Sequence, residues 1–347
     1  MTARDRVLDT IELLLQRNDV FEQLSTQPTP KRDLAEGLDV SRSTIDRALR
    51  EIESAGLAER CNDGVTLTLC GRLVVEEFER LDTRLQYRRG DARAPIIDLV
   101  ATAARRSDLL DLLNQPLDKR DLVEEHGQSR STIDRTMREL EVLGVVEHAP
   151  DGFVPTDIGR VLVREYEAFV DRLDGILAAP DLLSILDPTV ELDAAMLAGA
   201  EVVTPEPVAP HVPGTRLWEL VQGADRITAI AHAHSHSQAM GTVFSLAFDD
   251  VVMSFVFPVP LLEHVRSSYP ERFPQLLERP NYELSVVEET PYGLFLLEAP
   301  EACRVCLLVY SSDNEMSGLI ANTTDRAIEW GEQVFESYEN RAEPVTA

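Results

Sequence analysis

Residues 31–59 read KRDLAEGLDVSRSTIDRALREIESAGLAE, and residues 119–147 read KRDLVEEHGQSRSTIDRTMRELEVLGVVE. The two stretches align without a gap at an offset of 88, with 17 identities in 29 positions. The register continues outside them: Asp63-Gly64 falls on Asp151-Gly152, Thr68 on Thr156, Gly71-Arg72 on Gly159-Arg160, and Pro28 on Pro116. Two copies of one module therefore occupy about 4–82 and 92–170. That period is too long for a solenoid repeat and suits a small domain.

Inside the first copy, Arg32-Asp33-Leu34-Ala35 opens a short helix that ends near Gly37, and Ser41 caps a second helix reaching about Ala55. This is helix-turn-helix spacing. Ile45, Leu49 and Ile52 recur at helical intervals, which buries that stripe and turns Arg42, Ser43, Thr44 and Arg47 outward. After Gly56 the pattern changes to short stretches at 57–60 and 65–68 joined by Asn62-Asp63-Gly64, a hairpin signal. A helix-turn-helix followed by a β-hairpin is a winged helix. The second copy repeats the arrangement with Ile133, Met137 and Leu140 inward, Arg130, Ser131, Thr132 and Arg135 outward, and a wing turning at Pro150-Asp151-Gly152. A helix follows each wing, over 73–88 and 158–177; its stripe of Val74, Phe78, Leu81 and Leu85 suits a spacer or a dimerisation helix. Residues 88–95 read as the linker between copies.

A helix in the major groove reads base edges with Arg, Ser and Thr, while its N-terminal amides and nearby cations hold phosphates. The expected DNA-binding residues are Lys31, Arg32, Ser41, Arg42, Ser43, Thr44, Arg47 and Arg50 in the first copy. Their counterparts are Lys119, Arg120, Ser129, Arg130, Ser131, Thr132, Arg135 and Arg138. Arg47 and Arg135 are the foremost base readers. The competing reading is plain helix-surface pairing, since Arg42 and Asp46, Asp46 and Arg50, and Arg47 and Glu51 all stand four apart.

The chain has 347 residues, enough for two or three domains, and 44% hydrophobic with 27% charged residues is globular composition. The expected divisions are 1–90 for the first winged helix with its trailing helix, 91–178 for the second, and 179–347 for a third domain. Lys+Arg 33 against Asp+Glu 61 gives a net charge of −28, and Lys31 and Lys119 are the only lysines. Such acidity with so little lysine is similar to proteins of haloarchaeal, salt-rich cytoplasms. It describes habitat more than partner, so the low pI does not exclude nucleic acid. Residues 1–175 carry 25 of the basic groups and a net −10, while 176–347 carry 8 and a net −18. The start Met1-Thr2-Ala3-Arg4-Asp5 lacks a leader's apolar stretch, and no apolar run approaches ~18 residues, so a cytoplasmic protein without membrane contact is expected.

Residues 180–213, rich in Pro and Ala, suggest a loosely packed entry into the third domain. Strands are expected over 226–232, 250–258, 282–287, 293–298, 304–310 and 315–320, and helices over 238–248, 260–266 and 324–340. The fold class is thus α+β and α/β multidomain: two tandem winged helix-turn-helix domains followed by an α/β domain. His232, His234 and His236 alternate on one side of an extended segment and could offer imidazoles to a metal such as zinc; a pocket-lining role at the first strand's end fits better. Cys303 and Cys306 have redox-motif spacing, but residues three apart on a strand face opposite ways. Cys61 and Cys70 flank the first wing and read as packing.

The C-terminal half resembles the middle, ligand-sensing domain of the methanogenesis regulatory protein (FilR) family. The matching residues are Arg226-Ile227-Thr228, the PVPLLEHV stretch at 258–265, Glu289-Thr290-Pro291-Tyr292-Gly293-Leu294 and Ala327-Ile328-Glu329-Trp330-Gly331-Glu332. The resemblance implies a one-component transcription regulator with an unidentified small-molecule effector; family members carry one winged helix, so the duplication departs from the pattern. Together these readings predict an effector-responsive regulator of promoter DNA that reads the major groove with duplicated helices.

 The expectation in full is a regulator that binds double-stranded promoter DNA as a homodimer, with four winged helices, and that answers an effector held by His232, His234, His236 and Tyr292. No catalytic residue, metal or cofactor is expected. The alternatives are a metal-dependent enzyme built on the three histidines, or winged helices that dock on protein; no P-loop, nucleophile elbow, HExxH helix or dinucleotide fingerprint supports an enzyme.

Overall fold

The computed structural model describes residues 2–89, 96–112, 119–150, 152–233, 237–248 and 251–346. The chain divides into two compact units, Met1–Leu177 and Ala178–Ala347. Most of the expected linker, residues 90–95, lies outside the described residues.

In the first unit, module one runs α1 (Ala3–Gln16), α2 (Asn18–Thr26), α3 (Lys31–Gly37), α4 (Arg42–Ser54), β1 (Ala58–Cys61), β2 (Gly64–Leu67) and α5 (Leu69–Arg89). Module two runs α6 (Ile96–Leu112), α7 (Lys119–His126), α8 (Arg130–Val142), β3 (Val146–Ala149), β4 (Gly152–Pro155) and α9 (Asp157–Ala178). Both are winged helices, with antiparallel wings β1–β2 and β3–β4. The tight turn before α4 and before α8 needs a left-handed residue, supplied by Asp39 (φ 52°) in one copy and Gly127 (φ 71°) in the other. The repeat also keeps Gly71 and Gly159, where a Cβ would stand 1.8 Å from Leu57 O and 2.0 Å from Val145 O. Only glycine lets the trailing helix start against the strand backbone so closely.

The trailing helices bind one module to the other. Val74, Leu81 and Leu85 of α5 are fully buried, and the Phe78 ring meets Phe169 of α9 at 6.3 Å between centroids. Each such aliphatic side chain contributes about 1.5–3 kcal/mol on burial. The Arg172 guanidinium of α9 donates to the buried Glu77 carboxylate of α5, and Arg84 Nη1 donates to Glu165 at 2.7 Å. Helix α1 also packs on α6. The stripe that suited a spacer or an intermolecular dimerisation helix is thus covered inside the chain, because the second copy presents a matching stripe.

The second unit contains α10 (Pro180–Leu183), a 3-10 turn (Ala194–Met196), β5 (Glu201–Val203), α11 (Val212–Val221), β6 (Arg226–Ile230), α12 (Ser237–Phe248), β7 (Val252–Pro258) and α13 (Val259–Ser268). It continues with α14 (Arg272–Leu277), β8 (Tyr282–Val287), β9 (Gly293–Glu298), β10 (Cys303–Tyr310), β11 (Met316–Asn322), α15 (Asp325–Glu339) and β12 (Glu343–Pro344). One eight-stranded sheet has the order β12-β8-β7-β6-β9-β10-β11-β5. Strands β6, β7 and β8 are parallel, and the remaining pairings are antiparallel. Ile227, Ala229, Met253, Phe255 and Val265 stand in its apolar core.

Residues 180–198 are packed, whereas 204–211 are mostly exposed. Leu182, Leu183, Leu192, Met196 and Leu197 are buried, and the Asn322 amide donates to Met196 O at 3.1 Å and Ala198 O at 2.9 Å. Pro180 and Pro213 stand at helix starts, where the missing N–H costs nothing. No described helix is long and apolar enough to cross a membrane.

Candidate nucleic-acid interface and cleft

Ser41 and Ser129 cap α4 and α8, each Oγ accepting from the amide three residues on, Thr44 N and Thr132 N, at 3.2 Å. Ser43 and Thr44 hydroxyls lie 2.8 Å from Ser41 Oγ; Ser131 and Thr132 repeat this at 3.0 and 2.8 Å. The block SRST therefore organises the helix start as well as presenting hydroxyls there. Ile45, Leu49 and Ile52 are buried, as are Ile133, Met137 and Leu140. Arg42, Arg47 and Arg50 are exposed, and so are Arg130, Arg135 and Arg138.

The pairing along α4 follows the spacing only in part. Arg47 pairs with Glu51 at 3.0 Å and still has a 74% exposed side chain. Asp46 instead receives Lys31 of α3 at 2.9 Å, and Arg50 Nε donates to Asp46 O. Lys31 holds the Asp46 carboxyl below its ordinary pKa, and hydrogen bonds from Arg17 and then Arg47 do the same for Glu51. Arg17 and Glu51 recur in module two as Arg105 and Glu139, 3.8 Å apart. Arg32 and Arg120 are exposed; the side chain of Lys119 lies outside the described residues. Arg60 on the first wing, absent from the expected set, is 65% exposed beside Glu53. Its counterpart is His148, so the repeat gave no signal for it.

In the second unit, two adjoining clefts open where β6, β7 and β8 end. One, of about 340 Å³, is lined by His232, Pro258, Leu261, His264, Glu288 and Asn314. The other, of about 800 Å³, is lined by Val259, Pro291, Tyr338, Arg341 and Glu343, and both share Glu288, Glu289 and Thr290. His232 Nδ1 stands 2.5 Å from Thr290 O and donates to that carbonyl. The His232 ring also lies 5.1 Å from Tyr310. The Arg341 guanidinium sits 3.9 Å over the Tyr338 ring.

Of the expected ligand residues, His232 lines a cleft. Tyr292 is buried, and its hydroxyl donates to Glu191 O at 3.3 Å; burial pushes its pKa up. His234 and His236 lie outside the described residues. His264, Glu288 and Asn314 were missed; Glu288 and Asn314 stand just beyond strand ends, where such domains hold ligands, and His264 lies on α13 within the PVPLLEHV stretch. All four cysteines are free, Cys303 exposed and Cys306 buried, and burial raises the Cys306 pKa to about 12. No group of three metal-ligating side chains occurs among the described residues.

Two winged helices thus precede an α/β domain with two clefts at the ends of its parallel strands. Residues 7–89 and 95–177 each match the family described as HVO_A0261 N-terminal domain, and residues 210–341 match methanogenesis regulatory protein FilR1, middle domain. A search of curated proteins gave no match. Among solved structures, TrmBL2, an archaeal chromatin protein described as showing a novel mode of DNA binding, aligns at 14% identity and TM-score 0.34, covering 76% of this chain and 99% of its own. NucT from Helicobacter pylori aligns at 9% identity and TM-score 0.32, covering 42% of this chain and 98% of its own. A phospholipase D family member, Nuc from Salmonella typhimurium, aligns at 9% identity and TM-score 0.31, covering 43% and 98%. Those superpositions are too loose to inform function.

Proposed function

We propose that this chain is a transcription regulator that binds double-stranded promoter DNA through α4 and α8. The observation that carries the reading is that the same set, Ser-Arg-Ser-Thr with Arg three and six residues further on, stands on both capped helices, exposed throughout except for the half-buried Thr132. Segments 41–50 and 129–138 enter major grooves, with Arg47 and Arg135 on base edges and Lys31, Arg32, Lys119 and Arg120 near phosphates. The domains act as 1–90, 91–178 and 179–347, and the last senses a small-molecule effector in the clefts beside His232. It is not an enzyme. The acidic surface suits a halophilic cytoplasm, where counterion release gives little, so base contacts and shape carry affinity.

The test is genome-wide occupancy of the tagged protein beside the double variant Arg47→Ala, Arg135→Ala. Discrete promoter peaks that vanish in the variant support the reading; no peaks across growth conditions refute it.

A further inference from the structure

The repeat offset of 88 turns two ion pairs into one statement. Glu77 corresponds to Glu165, and Arg84 to Arg172. The observed pairs are Glu77 with Arg172 and Arg84 with Glu165. Each position of one module meets the other position of its copy, and the reverse contact is also made. The Phe78 and Phe169 rings meet between these pairs, so α5 and α9 run antiparallel and cross near Leu81 and its counterpart Phe169. The equivalent helices α1 and α6 also pack together.

Reciprocal contact is the mark of an isologous, two-fold interface; a head-to-tail interface would join two different patches without reciprocity. Two readers related by a two-fold axis meet opposite strands, which is why inverted sites mirror protein symmetry. Their reading residues are also identical in type, Ser41, Arg42, Ser43, Thr44, Arg47 and Arg50 against the same types 88 positions on, all exposed except the half-buried Thr132. We infer that the tandem modules form a dimer in cis, and that one chain reads a complete inverted repeat of two like half-sites on one duplex.

This rests on the DNA-binding reading above. The test is selection of duplexes from a randomised pool by the full chain in molar KCl, followed by native mass measurement of the complex. An inverted repeat bound by one chain is the expected result. Scrambling one half-site then weakens the wild type at least tenfold and weakens Arg47→Ala or Arg135→Ala much less. Both arginines are exposed, and circular dichroism checks that the variants fold. A lone half-site, a direct repeat, or an inverted repeat bound by two chains overturns the inference and leaves DNA binding standing. No enriched sequence overturns DNA binding itself, and the inference with it.

Discussion

Replacing Arg172 with Met tests the interface between the modules. Removing one partner of a buried ion pair costs about 3–5 kcal/mol, because the other charge stays buried. Glu77 is 1% exposed but keeps Arg80 at 2.7 Å, so the cost falls at the lower end, about 3 kcal/mol. Arg84→Met should cost only about 1 kcal/mol, since its side chain is 42% exposed and Glu165 keeps Arg164 at 2.8 Å. The double change Glu77→Met, Arg172→Met removes both charges and should return to within about 1 kcal/mol of wild type. Hydrogen exchange read by mass spectrometry along a urea series, on peptides from 69–89 and 157–177, reports these costs locally. The reasoning fails if Arg172→Met stays within about 0.5 kcal/mol of wild type, or if Arg84→Met is the more damaging change.

Arg47→Ala should leave stability within about 0.5 kcal/mol while weakening DNA by about 1–3 kcal/mol, seen by titrating one preparation in thermal melts and in fluorescence anisotropy. Gly71→Ala should destabilise the first module by about 3 kcal/mol through the clash with Leu57 O, and Gly159→Ala should do the same to the second, as measured by local exchange. Asn322→Ala should cost about 2 kcal/mol and loosen residues 194–198, whose carbonyls it caps. Burial raises the Glu165 pKa, but Arg84 and Arg164 outweigh burial and leave it below the ordinary 4.5. Its stabilisation is therefore full above that value and lost as pH falls through the folded pKa; acid unfolding of Glu165→Gln should lack this part of the pH dependence.

The winged helices were legible because each rule was stated twice: cap, stripe and hairpin turn recur together, and only a shared fold preserves that register. The strands at 282–287 and 293–298 fall where alternation and turn residues place them. Strands β5 and β12, of 3 and 2 residues, are too short to show a period. Helices α10 and α11 were hidden because proline reads as a breaker until its place in the first turn is known. An apolar stripe such as that of α5 announces burial without naming the partner, which is why its cover by α9 was not foreseen. Pairing along α4 was half legible for a similar reason: Asp46 faces α3, and Lys31 reaches it before Arg42 does. The clefts draw His264 from α13, Glu288 from the end of β8 and Asn314 from the turn between β10 and β11, so no local pattern marks them.

The Lys31 bridge to Asp46 has a practical side. Lys31 and Lys119 hold the same place in each copy and are the only lysines in the sequence. An amine-directed label therefore reports on the first turn of α3 and of α7, apart from the chain's own α-amino group. Lys31 is 37% exposed and engaged by a carboxylate, so its labelling rate tracks whether that bridge holds. The protein thus carries one chemical footprinting probe per winged helix, and comparing the two rates with and without duplex tests which module, if either, is seated.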